Sequence, residues 1–314
     1  MDSAREFDAI VIGGGPAGSA AGLYAARASL QVLVIEQGMP GGQIATTDIV
    51  DNYPGIPNIT GAELGQKMLD HAESAGVEVA YAMVLAVDRD EDGVFTVKTD
   101  FETYAAPVLI MATGAVPRTA GFTGEDTFRG RGVSYCATCD GMFYRNKKVF
   151  VVGGGNSASE EGLYLAHIAN EVVMVLRRDE FRAPQGRVDK LLACDNVSVK
   201  YSTSIDSVEG GHLISRIAFR DNVSGETYVE EYPEGSVGIF VFAGNDPVVD
   251  LVRPMVEIAQ DGGVVTDETM ATKTPGLYCA GDMRSKKLRQ VVTAAADGAI
   301  AGSAAYAYVR ELRG

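Results

Sequence analysis

The sequence predicts an α/β fold built from two similar three-layer modules, each combining a parallel sheet with a β-meander. Three observations carry this. The chain has 314 residues, more than one hydrophobic core ordinarily serves, so two domains of about 150 residues each are expected. Two triple-glycine turns, Gly13-Gly14-Gly15 and Gly153-Gly154-Gly155, each follow an apolar run and open a helical pattern. Shifting the chain by 140 positions lays "VIGGGPAGSAAGLYAARASLQVLVIE" (11–36) on "VVGGGNSASEEGLYLAHIANEVVMVL" (151–176), with both "GLY" triplets in register. A period shared over strand, turn, helix and second strand marks a repeated unit rather than a chance glycine cluster.

The strand–glycine–helix unit is a nucleotide-binding turn. The first glycine turns the chain tightly, and the second lets the backbone approach a pyrophosphate. The third position, Gly18 in one copy and Ala158 in the other, lets helix and strand pack closely. Helix N-terminal N–H groups then hold the phosphates. Both modules are therefore expected to be Rossmann-like dinucleotide-binding domains.

The copies differ at the end of their second strand. The first ends in Glu36, placed to bind ribose hydroxyls. The second has Leu176 there, followed by Arg177, Arg178 and Arg182. An acid favours a free 2′-hydroxyl, whereas arginines suit a 2′-phosphate. Module one should thus take a non-phosphorylated dinucleotide and module two NADPH.

Each module continues alike. A turn-rich β region follows, "VFTVKTDFETYAAP" in the first and "LISRIAFRDNVSGETYVEE" in the second. Each closes on an apolar strand ending in glycine, "VLIMATG" (108–114) and "VGIFVFAG" (237–244), with Pro117 and Pro247 just beyond as linker positions. The tail is different. "TPGLYCAGDMRSKKLRQVVTAAADGAIAGSAAYAYV" reads as a strand over 277–280, then Gly281-Asp282, then a long Ala-rich helix from about Leu288. Asp282 at a strand end suits a sugar-alcohol hydroxyl. The helix N-terminus near Arg289, Gln290 and Val291 offers positive potential to an anion.

Composition narrows the partners. The chain is 46% hydrophobic and 22% charged with net charge −15. Nucleic acid and anionic membranes both need a basic face, so neither is an expected partner. The N-terminal apolar run, Phe7 to Ile12, is short and broken by Asp8. It matches neither a signal peptide nor a span, and a cytoplasmic location is expected.

Two of the four cysteines, Cys136 and Cys139, lie in "SYCATCDGMFY" (134–144). Zinc needs two more ligands. Cys194 and Cys279 are single and distant, and His71, His167 and His212 have no ligand-like partner nearby, so no metal is expected. A loop this short constrains little chain entropy, which leaves a structural staple little to stabilise. A working dithiol is the remaining reading. No histidine is near the motif, so Asp140 is the candidate proton donor, its pKa raised if it is buried. Cys279 is read as a packing residue, and Cys194, with only Lys190 as a cation close in sequence, is read as non-catalytic.

The ordered set "GGGPAG", "GMPGGQI", "DNYPG", "MATGA", "CATCDG", "GGGNSASEE", "RRDEFRA" and "AGDMRSKKLRQVVTAAADGAIA" resembles the low-molecular-weight, bacterial-type thioredoxin reductases over nearly the whole chain. The resemblance implies a discontinuous FAD-binding domain, 1–116 with 247–314, and an inserted NADPH-binding domain, 117–246, carrying the redox-active dithiol. It implies that FAD touches Gly13, Gly15, Pro16, Ala17, Gly18, Glu36, Gly42, Gln43, Asn52, Gly114, Asp282, Arg289, Gln290 and Val291. NADPH would meet Gly153, Gly155, Asn156, Ser157, Glu160, Arg177, Arg178 and Arg182.

Electrons would pass from NADPH to FAD, to the Cys136/Cys139 disulfide, and on to thioredoxin. Cys139 would face the flavin and Cys136 would be the outward nucleophile. The resemblance further implies a homodimer, and an inserted domain that rotates between two positions. Residues 128–148 carry five Lys or Arg against one Asp, and Met142 and Phe143 follow the dithiol, which suits an acidic partner such as a thioredoxin. Many relatives carry His where this chain has Leu176, which removes one possible nucleotide contact. The same fold fed by ferredoxin, or acting on a non-thioredoxin dithiol acceptor, is the alternative, and the arginines favour NADPH over ferredoxin. A non-catalytic nucleotide-binding redox sensor would have no need of the dithiol.

Overall fold

Runs of buried aliphatics such as Ala9–Ile12 and Val108–Met111, apolar at every position, build strands covered on both faces. The computed structural model describes residues 4–47 and 49–314. Among them six α-helices form: α1 (Pro16–Arg27), α2 (Gly61–Ser74), α3 (Ala137–Asp140), α4 (Asn156–Ala166), α5 (Gln185–Leu192) and α6 (Val291–Arg313). The chain divides into two units, Met1–Val116 with Asp246–Gly314, and Pro117–Asn245.

The first unit centres on a five-stranded parallel sheet. Its strand order is Leu277–Cys279, Val108–Met111, Ala9–Ile12, Val32–Glu36, Glu78–Tyr81. One face packs on α1, α2 and α6 through Val11, Val34, Ile110 and the alanines of the helices. The other packs on a meander of Arg5–Glu6, Thr103–Ala106, Phe95–Thr99 and Val84–Arg89. There Phe95, Val97 and Tyr104 meet Ile10, Leu33, Ile35 and Leu109. Burying each such side chain stabilises by about 1.5–3 kcal/mol, which fixes the central strand Ala9–Ile12 from which the glycine turn departs.

Helices α1 and α6 touch backbone to backbone. A Cβ on Gly298 would overlap the carbonyl of Ala17, and one on Gly302 the carbonyl of Ala21. The Ala17, Ala21, Ala25 stripe of α1 thus lies against a Gly-x-x-x-Gly stripe of α6. The helix expected from about Leu288 begins instead at Val291. Gln290 is extended and caps it, and its N–H donates to Thr293 Oγ1 at 3.2 Å while its own side chain accepts the matching backbone donor. Leu288 and Arg289, the two residues before the cap, stay outside the helix for that reason.

The second unit repeats the layers. Its parallel sheet runs Val133–Ser134, Val237–Val241, Lys148–Val152, Glu171–Val175, Val197–Lys200. Helices α3, α4 and α5 cover one face through Ala137, Ala158, Leu165 and Leu191. A meander of Thr203–Gly210, Ile214–Asp221 and Thr227–Glu231 covers the other, with Phe219 against Phe150 at 5.3 Å between ring centres. This is the expected fold class, present twice.

Candidate active site

Strand Val133–Ser134 is locked in register, Val133 on Ile239 and Ser134 on Phe240, and delivers the chain to the cysteines. Cys136 is extended and caps the single turn of α3, and it is disulfide-bonded to Cys139. Its sulfur accepts the Cys139 N–H at 3.2 Å. The Thr138 hydroxyl lies 3.5 Å from the same sulfur and donates to it, because a disulfide sulfur has no proton to give. Both cysteines and Asp140 are half-buried.

The shell around them is largely polar and tied down. Ser134 Oγ donates to Asp140 Oδ2 at 2.6 Å and accepts the Cys136 N–H at 3.1 Å. Tyr135 donates its hydroxyl to Glu125 at 2.7 Å, and Glu125, itself buried, accepts from the N–H groups of Ala120 and Gly121. Burial, then that hydrogen bond, pushes the Tyr135 hydroxyl above the ordinary phenol range. Burial, then the nearby Asp140, pushes Tyr144 up to about 12. Tyr144 fills the space left by Gly238, where any Cβ would overlap its ring.

The cations flanking the dithiol are only partly free for a partner. Lys147 donates to the Gly235 carbonyl at 2.9 Å, and Lys148 pairs with Glu171 at 3.1 Å. Arg129 lies over the Tyr135 ring, and Arg131 lies over Phe128 and bonds the Thr127 carbonyl. Met142 and Phe143 are 56% and 51% exposed and form an apolar flank to the dithiol.

In the first unit the glycine turn is built around Glu36. Its Oε2 accepts the Gly14 N–H at 2.6 Å and its Oε1 the Gly38 N–H at 2.7 Å, which leaves lone pairs on both oxygens. Gly13 has φ +105, and a Cβ there would come within 2.5 Å of the Ala112 carbonyl oxygen. Gly15 caps α1, Pro16 takes the first helical position, and Ala17 and Gly18 are buried behind them. Among the described residues, a Cβ on Gly15 would meet nothing closer than 3.6 Å, and one on Gly114 nothing within 4 Å. Gly42 opens a short 3-10 turn, and Gln43 donates to the Ala115 carbonyl next to Gly114. Asn52 donates to the Gln290 side chain at 3.0 Å, bringing its loop to the N-terminus of α6 beside Val291.

Asp282 ends this row. Among the described residues its buried Oδ1 has no hydrogen-bond partner, and burial raises its pKa despite Lys286 and Arg289. Arg289 donates to the Asp282 carbonyl at 3.3 Å. Asp297 of α6 clamps the turn: it accepts the Gly281 N–H at 3.1 Å and pairs with Lys286 at 2.7 Å and Arg284 at 2.9 Å. An orphaned buried carboxylate oxygen, an open glycine-lined edge and an acid with spare acceptors fit a flavin dinucleotide. Truncating Asp282 should separate binding from stability. Asp282→Ala removes a buried unpaired group worth about 1–3 kcal/mol of desolvation, so the apoprotein should melt no lower than the parent. FAD affinity should fall by about tenfold to a hundredfold, read by flavin released on gel filtration.

In the second unit Gly154 faces Leu176 as Gly14 faces Glu36: a Cβ on either glycine would lie 3.2 or 3.1 Å from that side chain. Gly153 has φ +138 and Gly155 caps α4, leaving Asn156 and Ser157 exposed in its first turn. The Arg182 N–H donates to the Gly154 carbonyl at 2.7 Å, and its guanidinium reaches to 4.0 Å from a Gly155 Cβ position. Arg177 and Arg178 are exposed, their carbonyls held by Asn222 at 3.0 Å and Ser202 at 2.9 Å. Among the described residues none of the three guanidinium groups forms a salt bridge. Glu160 points to solvent and pairs with Arg187 at 3.2 Å.

Cys279 is buried, and burial pushes its thiol up to about 12. Cys194 is half-buried and lies 3.7 Å from the Lys190 carbonyl. Sequence reasoning missed Ser134, Thr138, the Glu125–Tyr135 bond and the Asp297 clamp. Ser134 was visible as a hydroxyl two residues before Cys136, a spacing that favours local side-chain to backbone bonds.

A doubled glycine-turn fold with one unit carrying a Cys-x-x-Cys disulfide defines a nucleotide-dependent disulfide oxidoreductase. The family described as pyridine nucleotide-disulphide oxidoreductase matches residues 7–298, and the chain belongs to it. It is 42% identical over 308 residues to a thioredoxin reductase of Listeria innocua, covering 98% of this chain and 95% of that one. It is 40% identical to the thioredoxin reductase of Bacillus subtilis, covering 100% and 98%. The crystal structure of the thioredoxin reductase from Streptococcus pyogenes superposes with a TM-score of 0.91 at 39% identity, covering 98% of this chain and all of that one. The chain is a flavoprotein disulfide reductase whose cofactors are FAD and NADPH.

Proposed function

We propose that the protein reduces the disulfide of thioredoxin in the cytoplasm, with the Pro117–Asn245 unit holding NADPH and the other unit holding FAD. The carrying observation is the Cys136–Cys139 disulfide with two donors, Cys139 N–H and Thr138 Oγ1, directed at one sulfur. Donors on that sulfur stabilise a thiolate there once the bond is reduced. Cys136 is therefore the nucleophile toward substrate, and Cys139 the sulfur that faces the flavin. Bound FAD and NADPH supply the two electrons that open the disulfide. Asp140 gives the proton that the departing substrate thiolate needs. Exposed Met142, Phe143, Arg129 and Arg145 offer an acidic small protein an apolar and cationic landing.

Glu36, Gln43, Asn52, Gly114, Asp282 and the Arg289–Val291 cap line the flavin in this reading. Asn156, Ser157 and the three arginines line NADPH. Glu160 joins them by leaving Arg187. A second copy of the chain covers the exposed apolar side chains Val292, Ile300 and Tyr306 of α6.

Anaerobic mixing with NADPH, and separately with NADH, followed by oxidised thioredoxin, tests this. Fast flavin bleaching by NADPH and turnover on thioredoxin are expected. Absence of bleaching overturns the NADPH assignment, and bleaching without turnover overturns the substrate. The arginines should set the nucleotide preference. A charge-assisted hydrogen bond contributes about 1.5–3 kcal/mol. Arg177→Ala with Arg178→Ala should therefore raise the KM for NADPH by about 10–100-fold and leave the KM for NADH unchanged, measured at constant ionic strength.

A further inference from the structure

The hydrogen-bond pattern on Ser134 assigns it a task in the chemistry. A serine hydroxyl has one proton and two lone pairs. Here the Cys136 N–H donates to Oγ at 3.1 Å, which takes one lone pair. Two acceptors compete for the proton: Asp140 Oδ2 at 2.6 Å and the Cys136 carbonyl at 3.3 Å. The shorter bond to a carboxylate wins. The carbonyl is also satisfied already, since it accepts the Asp140 N–H at 3.1 Å. The hydroxyl is thereby pinned at both ends, one on the nucleophile's backbone and one on the acid.

Ser134 itself cannot drift. It is buried, its strand is paired with Val237–Val241, and the next residue, Tyr135, is tied to buried Glu125. Asp140 lies at the end of a one-turn helix and is only half-buried, so its carboxylate gains orientation from this rigid neighbour.

We propose that Ser134 is the positioning residue for the proton donor: by holding Asp140 Oδ2 it orients the carboxyl that gives up the proton. The inference rests on the reading of Asp140 as the acid. In the step concerned, the Cys136 thiolate attacks one substrate sulfur and its electron pair forms the new S–S bond. The substrate's S–S bond breaks. The leaving sulfur departs with that bonding pair and takes the proton from Asp140, which is left as a carboxylate.

The test is a double-mutant cycle in the FAD-loaded enzyme, prereduced with NADPH and mixed with oxidised thioredoxin in a single turnover. Asp140→Asn should slow this step by about 10²–10³-fold, in the range of general-acid catalysis. Ser134→Ala should slow it by about tenfold with unchanged thioredoxin affinity and unchanged flavin bleaching, and Ser134→Thr should restore most of it. In the Asp140→Asn background, Ser134→Ala should cost nothing further. An Asp140→Asn enzyme as fast as the parent overturns the acid reading, and the inference falls with it. A slow Asp140→Asn beside a fast Ser134→Ala overturns the inference alone. So does a tenfold loss that persists in the Asn background or that Thr fails to rescue, since that marks a merely structural serine.

Discussion

The Cys136→Ser enzyme should bind FAD, be bleached by NADPH at the parent rate, and reduce thioredoxin at least about 10³-fold more slowly. A serine hydroxyl forms no disulfide with the substrate, so the exchange route through a mixed disulfide is lost outright. The remaining sulfurs cannot stand in. Cys279 is buried with its thiol pushed up to about 12, which leaves almost no thiolate near neutral pH. Cys194 sits on another segment, 3.7 Å from the Lys190 carbonyl. The partner variant, Cys139→Ser, should behave differently. Its Cys136 still attacks, but nothing resolves the product, so a covalent adduct with thioredoxin should accumulate and vanish on adding dithiothreitol. Turnover by Cys136→Ser within tenfold of the parent would mean that the electrons leave by another route. An adduct formed by Cys136→Ser rather than by Cys139→Ser would exchange the roles of the two sulfurs.

What was legible in the sequence follows from the physics of glycine and of strand periodicity. Gly13, Gly18 and Gly153 are places where backbone meets backbone, and no other residue fits there, so the motif and the geometry carry the same information. Glu36 and Leu176 could be paired by the repeat alone, and the structure puts both against the second glycine of their turns. The clamp of Asp297 on the Gly281–Asp282 turn was not legible. It depends on three partners brought together by folding, and an Asp inside an Ala-rich helix reads as a solvated position until α6 is laid on α1. The close approach of those helices was hidden for a related reason. Gly298 and Gly302 lie in a run of small residues, and composition does not say which of them meets a carbonyl. The Ser134–Asp140 bond spans only six residues, but its donor direction is decided by the turn of α3, which no spacing rule supplies.

Gly18→Ala should produce a nearly colourless protein of lowered stability. A Cβ at this position would overlap the Gly13 carbonyl oxygen and press on Val11 at 3.3 Å. The overlapped atom belongs to the backbone of the turn, and Gly13 is already held at φ +105 beside Ala112, so the turn has little room to retreat. Overpacking of this kind costs about 1–3 kcal/mol or more, and for a unit of this size each kcal/mol lowers Tm by about 2–4 °C. Any retreat also moves the N-terminus of α1, where the proposed reading seats the pyrophosphate, so on that reading FAD binding and the stabilisation that comes with it are lost together. The second module supplies the control. The matching residue there is Ala158, fully buried, and Gly153 leaves it room: a Cβ on Gly153 would lie 3.0 Å from the Ala158 Cβ. Alanine is thus compatible with this turn in one module and overlaps backbone in the other. Ala158→Gly should accordingly cost only about 1 kcal/mol and leave the flavin spectrum untouched. Flavin absorbance per chain and thermal melts of the two variants decide the matter. A yellow, fully stable Gly18→Ala protein would show that the turn yields without moving the helix, and that the close contact is not what seats the cofactor.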